Sequence, residues 1–185
     1  MAIDERKLAY NQYDDLDEFS HKCIDYLINN NEYLWKLLKY TSPDCWKDSF
    51  SNLTKVEKAK LIYSGEDDES EFRVFLDDGQ PDVWVQEVAT IRIYPYAIIP
   101  ENRSVGLIIM AMDVYAHYKI NHLSNYKARI DVMTKEVIKT FNGSIIGGIG
   151  RLFLDRSILF EGGIRQTGQI PFKGKRLLFG NKEAL

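Results

Sequence analysis

Two long β-type segments around one short polar turn constrain the fold of this chain more than any other feature. They run from Val83 to Pro100 and from Val105 to Ile120, and the tip between them is Glu101-Asn102-Arg103-Ser104. Strands in globular proteins usually have about 5–6 residues, so each segment is roughly three times the usual length. The alternation at period two from Met110 onward is typical of a strand. We therefore expect a long antiparallel hairpin whose arms overrun their own core and contact another subunit.

Four residues near this turn are candidate interface residues. Ile98 and Ile108 are predicted to be apolar outer positions of the two arms, and Glu101 and Arg103 are predicted to be charged positions at the tip. Pro95 cannot donate a ladder hydrogen bond, so the first arm is predicted to be an edge strand or to be interrupted there.

Length and composition describe one ordinary globular domain, with or without a small helical appendage. The chain has 185 residues, of which 45% are hydrophobic and 28% are charged. The longest apolar runs are far shorter than the ~20 residues of a membrane span, and the first residues lack the apolar region of a secretory signal. We expect no membrane partner and synthesis in a cytoplasm. Cys23 and Cys45 lack metal-type spacing and are predicted to be buried, reduced thiols.

The formal charge of −3 is unevenly distributed along the chain. Residues 1–80 carry 10 Lys or Arg against 18 Asp or Glu, whereas residues 143–185 carry 7 against 3. Opposite charges at the two ends suit head-to-tail contacts between identical subunits. Asymmetry of this kind is also common on solvated surfaces.

Helices dominate the first third of the chain. A first helix can be capped by Asp14 or Asp15 and is broken by the asparagine run 29–31, in which Asn31 can cap a second. Thr54 and Glu57 fit a capping box that opens a third helix, which stops near residue 65.

The remaining elements are mostly strands. We expect a short strand at Phe72–Leu76, a helix from Ser124 or Asn125 to Phe141, a strand at Arg151–Phe160, a loop at Glu161–Gln169 and a last strand at Pro171–Phe179. The predicted fold class is α+β: N-terminal helices followed by a mainly antiparallel sheet with a long hairpin and one packed helix. A helical region, 1–65, and a sheet region, 66–185, are expected to form one compact unit.

No motif indicates catalysis, a cofactor or a metal. The glycine-rich stretch 143–151 lacks the GK[ST] ending of a phosphate loop and follows a helix instead of opening one. The histidines His21, His117 and His122 lack the spacing of helix-borne metal sites and are predicted to be polar surface residues. We expect a protein that is not an enzyme.

The C-terminal segment combines basic and apolar residues. Its strand can complete its own sheet, or it can add to the open edge of a neighbouring sheet. Arg165, Lys173, Lys175 and Arg176 are candidate interface residues facing an acidic partner or DNA in transit. Sequence-specific nucleic-acid binding is disfavoured because the whole chain is acidic. We expect truncation after Gly168 to abolish assembly and to leave a folded subunit.

The segment Ile28–Tyr63 resembles the start of small virion proteins of tailed bacteriophages. The matching pieces are Asn31-Glu32, Leu34, Lys36-Leu37-Leu38, Tyr40, Pro43-Asp44, Asn52-Leu53-Thr54 and Glu57-Lys58. The later order of elements is similar to that of head–tail connectors and tail terminators. The resemblance implies a homo-oligomeric neck ring in the virion, between the capsid portal or adaptor and the tail tube, with possible non-specific contact to DNA. Alternatives are another tail, baseplate or completion protein, or a small soluble enzyme or binding module.

Overall fold

A computed structural model describes residues 12–65, 71–78, 86–102, 105–166 and 169–181, and for residues 12, 156–166 and 169–171 it describes the backbone alone. The helices are a 3₁₀ helix at Gln12–Glu18, α1 at Phe19–Asn30, α2 at Glu32–Lys39, α3 at Lys55–Ala59, a short 3₁₀ helix at Tyr118–Ile120 and α4 at Arg129–Phe141. The strands are β1 at Val74–Phe75, β2 at Ala89–Pro100, β3 at Gly106–His117, β4 at Ile145–Ile146, β5 at Gly150–Arg151, β6 at Phe153–Gln166 and β7 at Gln169–Gly180.

Five strands form one sheet in the order β1-β2-β3-β7-β6, in which only β1 pairs in parallel. The predicted α+β class with a mainly antiparallel sheet is confirmed. Helices α1, α2 and α4 pack against one face of this sheet, and we call the opposite face the outer face. One core cluster joins the two predicted regions, since it includes Leu34 and Trp35 of α2 together with Met112 of β3 and Leu177 of β7.

The long hairpin is present, with arms shorter than predicted. β2 and β3 pair antiparallel from Ala89↔Ala116 to Pro100↔Gly106. A register shift between Pro95 and Ala97 interrupts β2, as the proline predicted. The expectation that the arms overrun their own core is wrong for most of β3, because β7 covers its second edge.

Local signals placed some helix ends correctly and others wrongly. The predicted cap at Asp14 or Asp15 is wrong, because α1 begins after Glu18 without a side-chain cap, and α3 ends at Ala59 rather than near residue 65. The Asn31 side chain accepts a hydrogen bond from the backbone N–H of Leu34 and caps α2. Thr54 and Glu57 form the capping box of α3. The predicted start of α4 is wrong: residues 124–126 form a turn, and the helix begins at Arg129 after Ala128, without a side-chain cap. Gly143, at φ 81°, follows the end of α4.

The C-terminal segment completes the chain's own sheet. β7 lies between β3 and β6 and pairs with both, so it is an interior strand. The loop predicted at Glu161–Gln169 is wrong for residues 161–166, which continue β6 in a hairpin with β7. Leu177 and Phe179 belong to the core. Truncation after Gly168 would remove this interior strand and its core residues, so the structure favours loss of folding over the folded subunit that the sequence predicted.

Candidate interaction surface

Three charged residues lie side by side across the outer face of the sheet. Asp113 of β3 is the register partner of Arg92 on β2 and of Arg176 on β7. Directly opposed residues on neighbouring strands share a face, so the alternation of three strands places a carboxylate between two guanidinium groups. We call these residues, with Tyr94 and Tyr115, the charged row.

Arg176 binds the Asp113 carboxylate of the charged row. Its Nε lies 2.8 Å from Asp113 Oδ1 and its Nη2 lies 2.6 Å from Asp113 Oδ2, a two-pronged ion pair. The Asp113 side chain is 1% exposed and that of Arg176 is 33% exposed. The hydrogen bonds to the Asp113 carboxylate raise the pKa of Arg176 above its ordinary value. The charge of Arg176 is therefore paired within its own chain.

Two tyrosine hydroxyls complete the environment of the Asp113 carboxylate. The Tyr94 hydroxyl donates to Asp113 Oδ2 over 3.0 Å and accepts from Arg176 Nη2 over 2.8 Å. The Tyr115 hydroxyl donates to the same carboxylate oxygen over 3.4 Å. Burial, followed by the charge of Asp113, raises the pKa of both phenols. Both tyrosines therefore remain neutral hydrogen-bond donors at neutral pH.

Apolar side chains are exposed at the turn end of the hairpin. Tyr96 and Ile99 of β2 are each 52% exposed, and Val105, just before β3, is 41% exposed. The register partner of Ile99 is Leu107, which is partly buried. We call Tyr96, Ile99 and Val105 the tip patch. Exposed apolar patches of this kind are frequent at protein–protein contacts.

The chain itself fixes the tip patch in place. The Tyr13 hydroxyl donates to the Val105 carbonyl over 2.7 Å. Asn181 accepts from the Ile108 N–H over 3.0 Å and donates to the Gly106 carbonyl over 3.2 Å. A Cβ added at Gly106 would come within 2.8 Å of the Tyr13 hydroxyl. Any residue other than glycine at the start of β3 would therefore require its neighbours to move.

The predicted interface residues have diverse surroundings. Glu101 is exposed and Ile98 is half-buried, but Ile108 is fully buried in the core, so its expected outer position is wrong. Arg103 lies outside the described residues, as does the side chain of Arg165.

The basic residues of β7 also differ in their surroundings. Lys173 is exposed, whereas Lys175 forms an ion pair with Asp131 of α4, with Nζ 2.9 Å from Oδ1. Together with the Arg176–Asp113 pair, this shows that two predicted interface cations have acidic partners within the chain.

An open cleft of about 520 Å³ lies between the start of α2 and the N-terminal half of α4. It is lined by Tyr33, Tyr126, Lys127, Ala128, Asp131, Val132, Lys135 and Glu136. Tyr126 is fully exposed and has a φ of 64°, a left-handed conformation that is uncommon for an aromatic residue. Sequence reasoning gave no indication of this cleft.

Arg129 is a further residue that sequence reasoning missed. Its buried guanidinium donates five hydrogen bonds to backbone carbonyls and joins the end of α2 to the segment after β3. The acceptors are Ile120, Leu37, Tyr40, Thr41 and Ser42, at 2.7–3.1 Å. A signal was present, because Arg129 lies on the i, i+4 stripe of Met133, Val137 and Phe141.

The described histidines, cysteines and acidic residues do not gather into a metal site. No group of three or more potential ligands occurs among the described residues. His21 and His122 are exposed as predicted, but the prediction for His117 is wrong, since it is buried against Phe172 with ring centroids 5.2 Å apart. Cys23 and Cys45 are free and buried as predicted, and burial raises the pKa of Cys23 to about 12.

The helices of the described segments are also too short or too polar to cross a membrane. Neither a curated protein nor a solved structure matches the chain significantly. A family model described as YomW matches residues 31–177, which is most of the chain. The name is that of a gene product of Bacillus phage SPBeta type and indicates a phage-encoded protein, which confirms the phage origin implied by the resemblance. The chain therefore belongs to the YomW family.

Proposed function

We propose that the protein is a non-enzymatic structural subunit of the phage particle. In this proposal it forms a homo-oligomeric ring in the neck, between the capsid portal or adaptor and the tail tube. It is made in the host cytoplasm and then becomes part of the virion. The observation that carries an assembly role is the tip patch, three exposed apolar side chains at the turn end of the β2–β3 hairpin.

The physical support is the combination of exposure and rigidity. Tyr96 and Ile99 are about half exposed, so a partner that covers them removes apolar surface from water. The hydrogen bonds of Tyr13 and Asn181 hold the start of β3 before any partner arrives. A preformed surface loses less conformational entropy on binding than a mobile loop does. The neck position itself is supported by the resemblance of Ile28–Tyr63 to neck proteins.

A substitution in the tip patch tests the assembly role. Ile99→Asp should weaken association at least tenfold, measured by mass photometry of the purified protein with and without portal complexes, while thermal unfolding stays close to wild type. Val56→Asp is the matched control, because Val56 is 67% exposed on α3, outside the patch. Equal association of Ile99→Asp and wild type would contradict the role of the tip patch.

A gene deletion in the phage tests the neck position. We expect filled capsids and complete tails that remain separate in electron micrographs, with joining restored by the wild-type gene. Joined particles with defective baseplates would instead assign the protein to the tail. Joined, infectious particles that lack the protein would contradict a structural role in the virion.

A further inference from the structure

We infer that the cleft between α2 and α4 binds a second copy of this chain, through the acidic 3₁₀ helix Gln12–Glu18 of that copy. The inference rests on the proposed ring and names the two surfaces that would meet in it. Three observations carry it: an outward tyrosine at the rim, two lysines that form no ion pair with any described residue, and the position of the acidic helix.

The rim of the cleft presents Tyr126 on a turn whose backbone is held by hydrogen bonds. Its backbone N–H donates to the Leu123 carbonyl over 3.1 Å, and the Leu123 N–H donates to the Lys127 carbonyl over 3.0 Å. The Ser124 N–H donates to the Pro43 carbonyl over 3.0 Å, which ties the turn to the loop after α2. These bonds hold an aromatic residue at φ 64° with its side chain in solvent. A large apolar ring held outward in this way suits contact with a partner.

The charges of the cleft favour an acidic partner. Asp131 forms an ion pair with Lys175, and Glu136 forms one with Lys139, so both acids have cationic partners in the chain. Lys127 and Lys135 are exposed and form no ion pair within the described part of the chain. The two ammonium groups therefore leave the cleft with an uncompensated positive charge.

The 3₁₀ helix Gln12–Glu18, with the sequence QYDDLDE, provides the complementary charge. Asp17 and Glu18 are exposed, and Asp15 forms an ion pair with Lys22. Leu16 next to them is only partly buried and can add an apolar contact for Tyr126.

The two surfaces lie at opposite ends of β3. The acidic helix is at the end where β3 begins, since the Tyr13 hydroxyl donates to the carbonyl of Val105. The cleft starts where β3 has ended, since the Arg129 N–H donates to the Asn121 carbonyl over 2.6 Å. A contact between opposite ends of identical chains is heterologous, and it closes into a ring when the rotation between copies divides a full turn.

A charge exchange tests this contact. Lys127→Glu with Lys135→Glu, and separately Asp17→Lys with Glu18→Lys, should each weaken self-association at least tenfold in sedimentation velocity measurements. An equimolar mixture of the two variants should associate as wild type does, because each cleft then meets a helix of opposite charge. The matched control, Lys55→Glu with Lys60→Glu on the exposed surface around α3, should associate normally. Tyr126→Gly should weaken association while the thermal unfolding midpoint stays the same or rises, since glycine accepts the left-handed backbone.

The outcomes separate this contact from the ring itself. A wild-type protein that stays monomeric alone and with portal complexes would contradict the proposed ring. Wild-type oligomers that tolerate both charge reversals would leave the ring intact and overturn the contact. Loss of association in both variants without recovery in the mixture would also overturn it, and would indicate that the cleft binds a different protein.

Discussion

Arg129 and Arg176 stabilise two regions of the molecule by different means. Arg129 is fully buried on the helical side and donates to five backbone carbonyls, three of them in the segment 40–42 that follows α2. Arg176 lies on the outer face, one-third exposed, and its partners are the Asp113 carboxylate and the Tyr94 hydroxyl. At the first site, the partial charges of carbonyl groups compensate a buried cation. At the second site, a full opposite charge compensates a partly exposed cation.

This difference determines which acceptor groups lose their donor when each arginine is replaced. Carbonyls at a helix end lack intrahelical partners, and a nearby cation also offsets the negative end of the helix dipole. Without Arg129, several dehydrated carbonyls from two distant segments lose their donor together. Without Arg176, a single buried carboxylate loses its cation but keeps two tyrosine hydroxyls.

The largest effect is expected from Arg129→Met. The free energy of unfolding should fall by about 4–5 kcal/mol, because several buried acceptors are left unsatisfied at once. Urea unfolding followed by tryptophan fluorescence measures this change. The free energy of unfolding of Arg129→Lys should lie between those of Arg129→Met and wild type, since an ammonium group has three donors and lacks the planar geometry of a guanidinium. A loss below about 1 kcal/mol for Arg129→Met would show that water replaces the guanidinium.

A smaller loss, about 3 kcal/mol, is expected from Arg176→Met, because the buried Asp113 carboxylate loses its two-pronged ion pair and keeps Arg92 as its neighbour on β2. The double variant Asp113→Asn with Arg176→Met should recover part of this loss. Lys173→Met on the same strand is the control, and this exposed residue should change stability by less than about 0.5 kcal/mol. If the double variant lost the full sum of the single effects, the two side chains would not be coupled.

Tyr94→Phe should cost about 1 kcal/mol at neutral pH, because it removes the hydroxyl that links Arg176 to Asp113. Burial raises the pKa of Tyr94, so the folded state resists deprotonation more than the unfolded state does. Its contribution to stability is complete below about pH 10 and is lost as the pH rises through the folded pKa. Unfolding measured from pH 8 to 11 should therefore decline less steeply for Tyr94→Phe than for wild type, and identical slopes would contradict this role.

Signals that act within a few residues were readable from the sequence. The Asn31 cap, the Thr54–Glu57 capping box and the proline interruption of β2 depend on neighbouring residues, and each was predicted correctly. The strand order is not local: nothing near β7 shows that it lies between β3 and β6. Arg176 was therefore expected to face a partner, although its partner is Asp113, 63 residues earlier in the chain.

The same limit explains the parts of the surface that sequence analysis missed. Apart from Ile120, the acceptors of Arg129 lie 87–92 positions earlier in the chain, so the residues around Arg129 in the sequence do not identify them. The cleft arises because α2 and α4 pack side by side, which no single segment encodes. The tip patch was anticipated in position, since the turn was predicted, but its exposed residues are Tyr96, Ile99 and Val105 rather than Ile108.

The smallest effect is expected at His117, which shares the outer face with Arg176. Burial lowers the pKa of His117 below its ordinary value of 6.5, and Lys119 lowers it further while Glu87 opposes the change. The folded state thus binds fewer protons than the unfolded state, so this contribution to stability is complete above about pH 6.5 and is lost as the pH falls through the folded pKa. His117→Asn retains an acceptor for the Lys119 N–H and removes the titration. The stability of His117→Asn should therefore fall less between pH 7 and 5 than that of wild type, and the difference should be less than about 1 kcal/mol.

The two arginine variants should differ over the same pH range. Arg129→Met should lose stability with acid as wild type does, because no carboxylate of the described residues accepts from that guanidinium. Arg176→Met should regain stability as the Asp113 carboxylate takes up a proton. Parallel pH profiles for all three variants would show that the outer face and the helical side respond to acid alike.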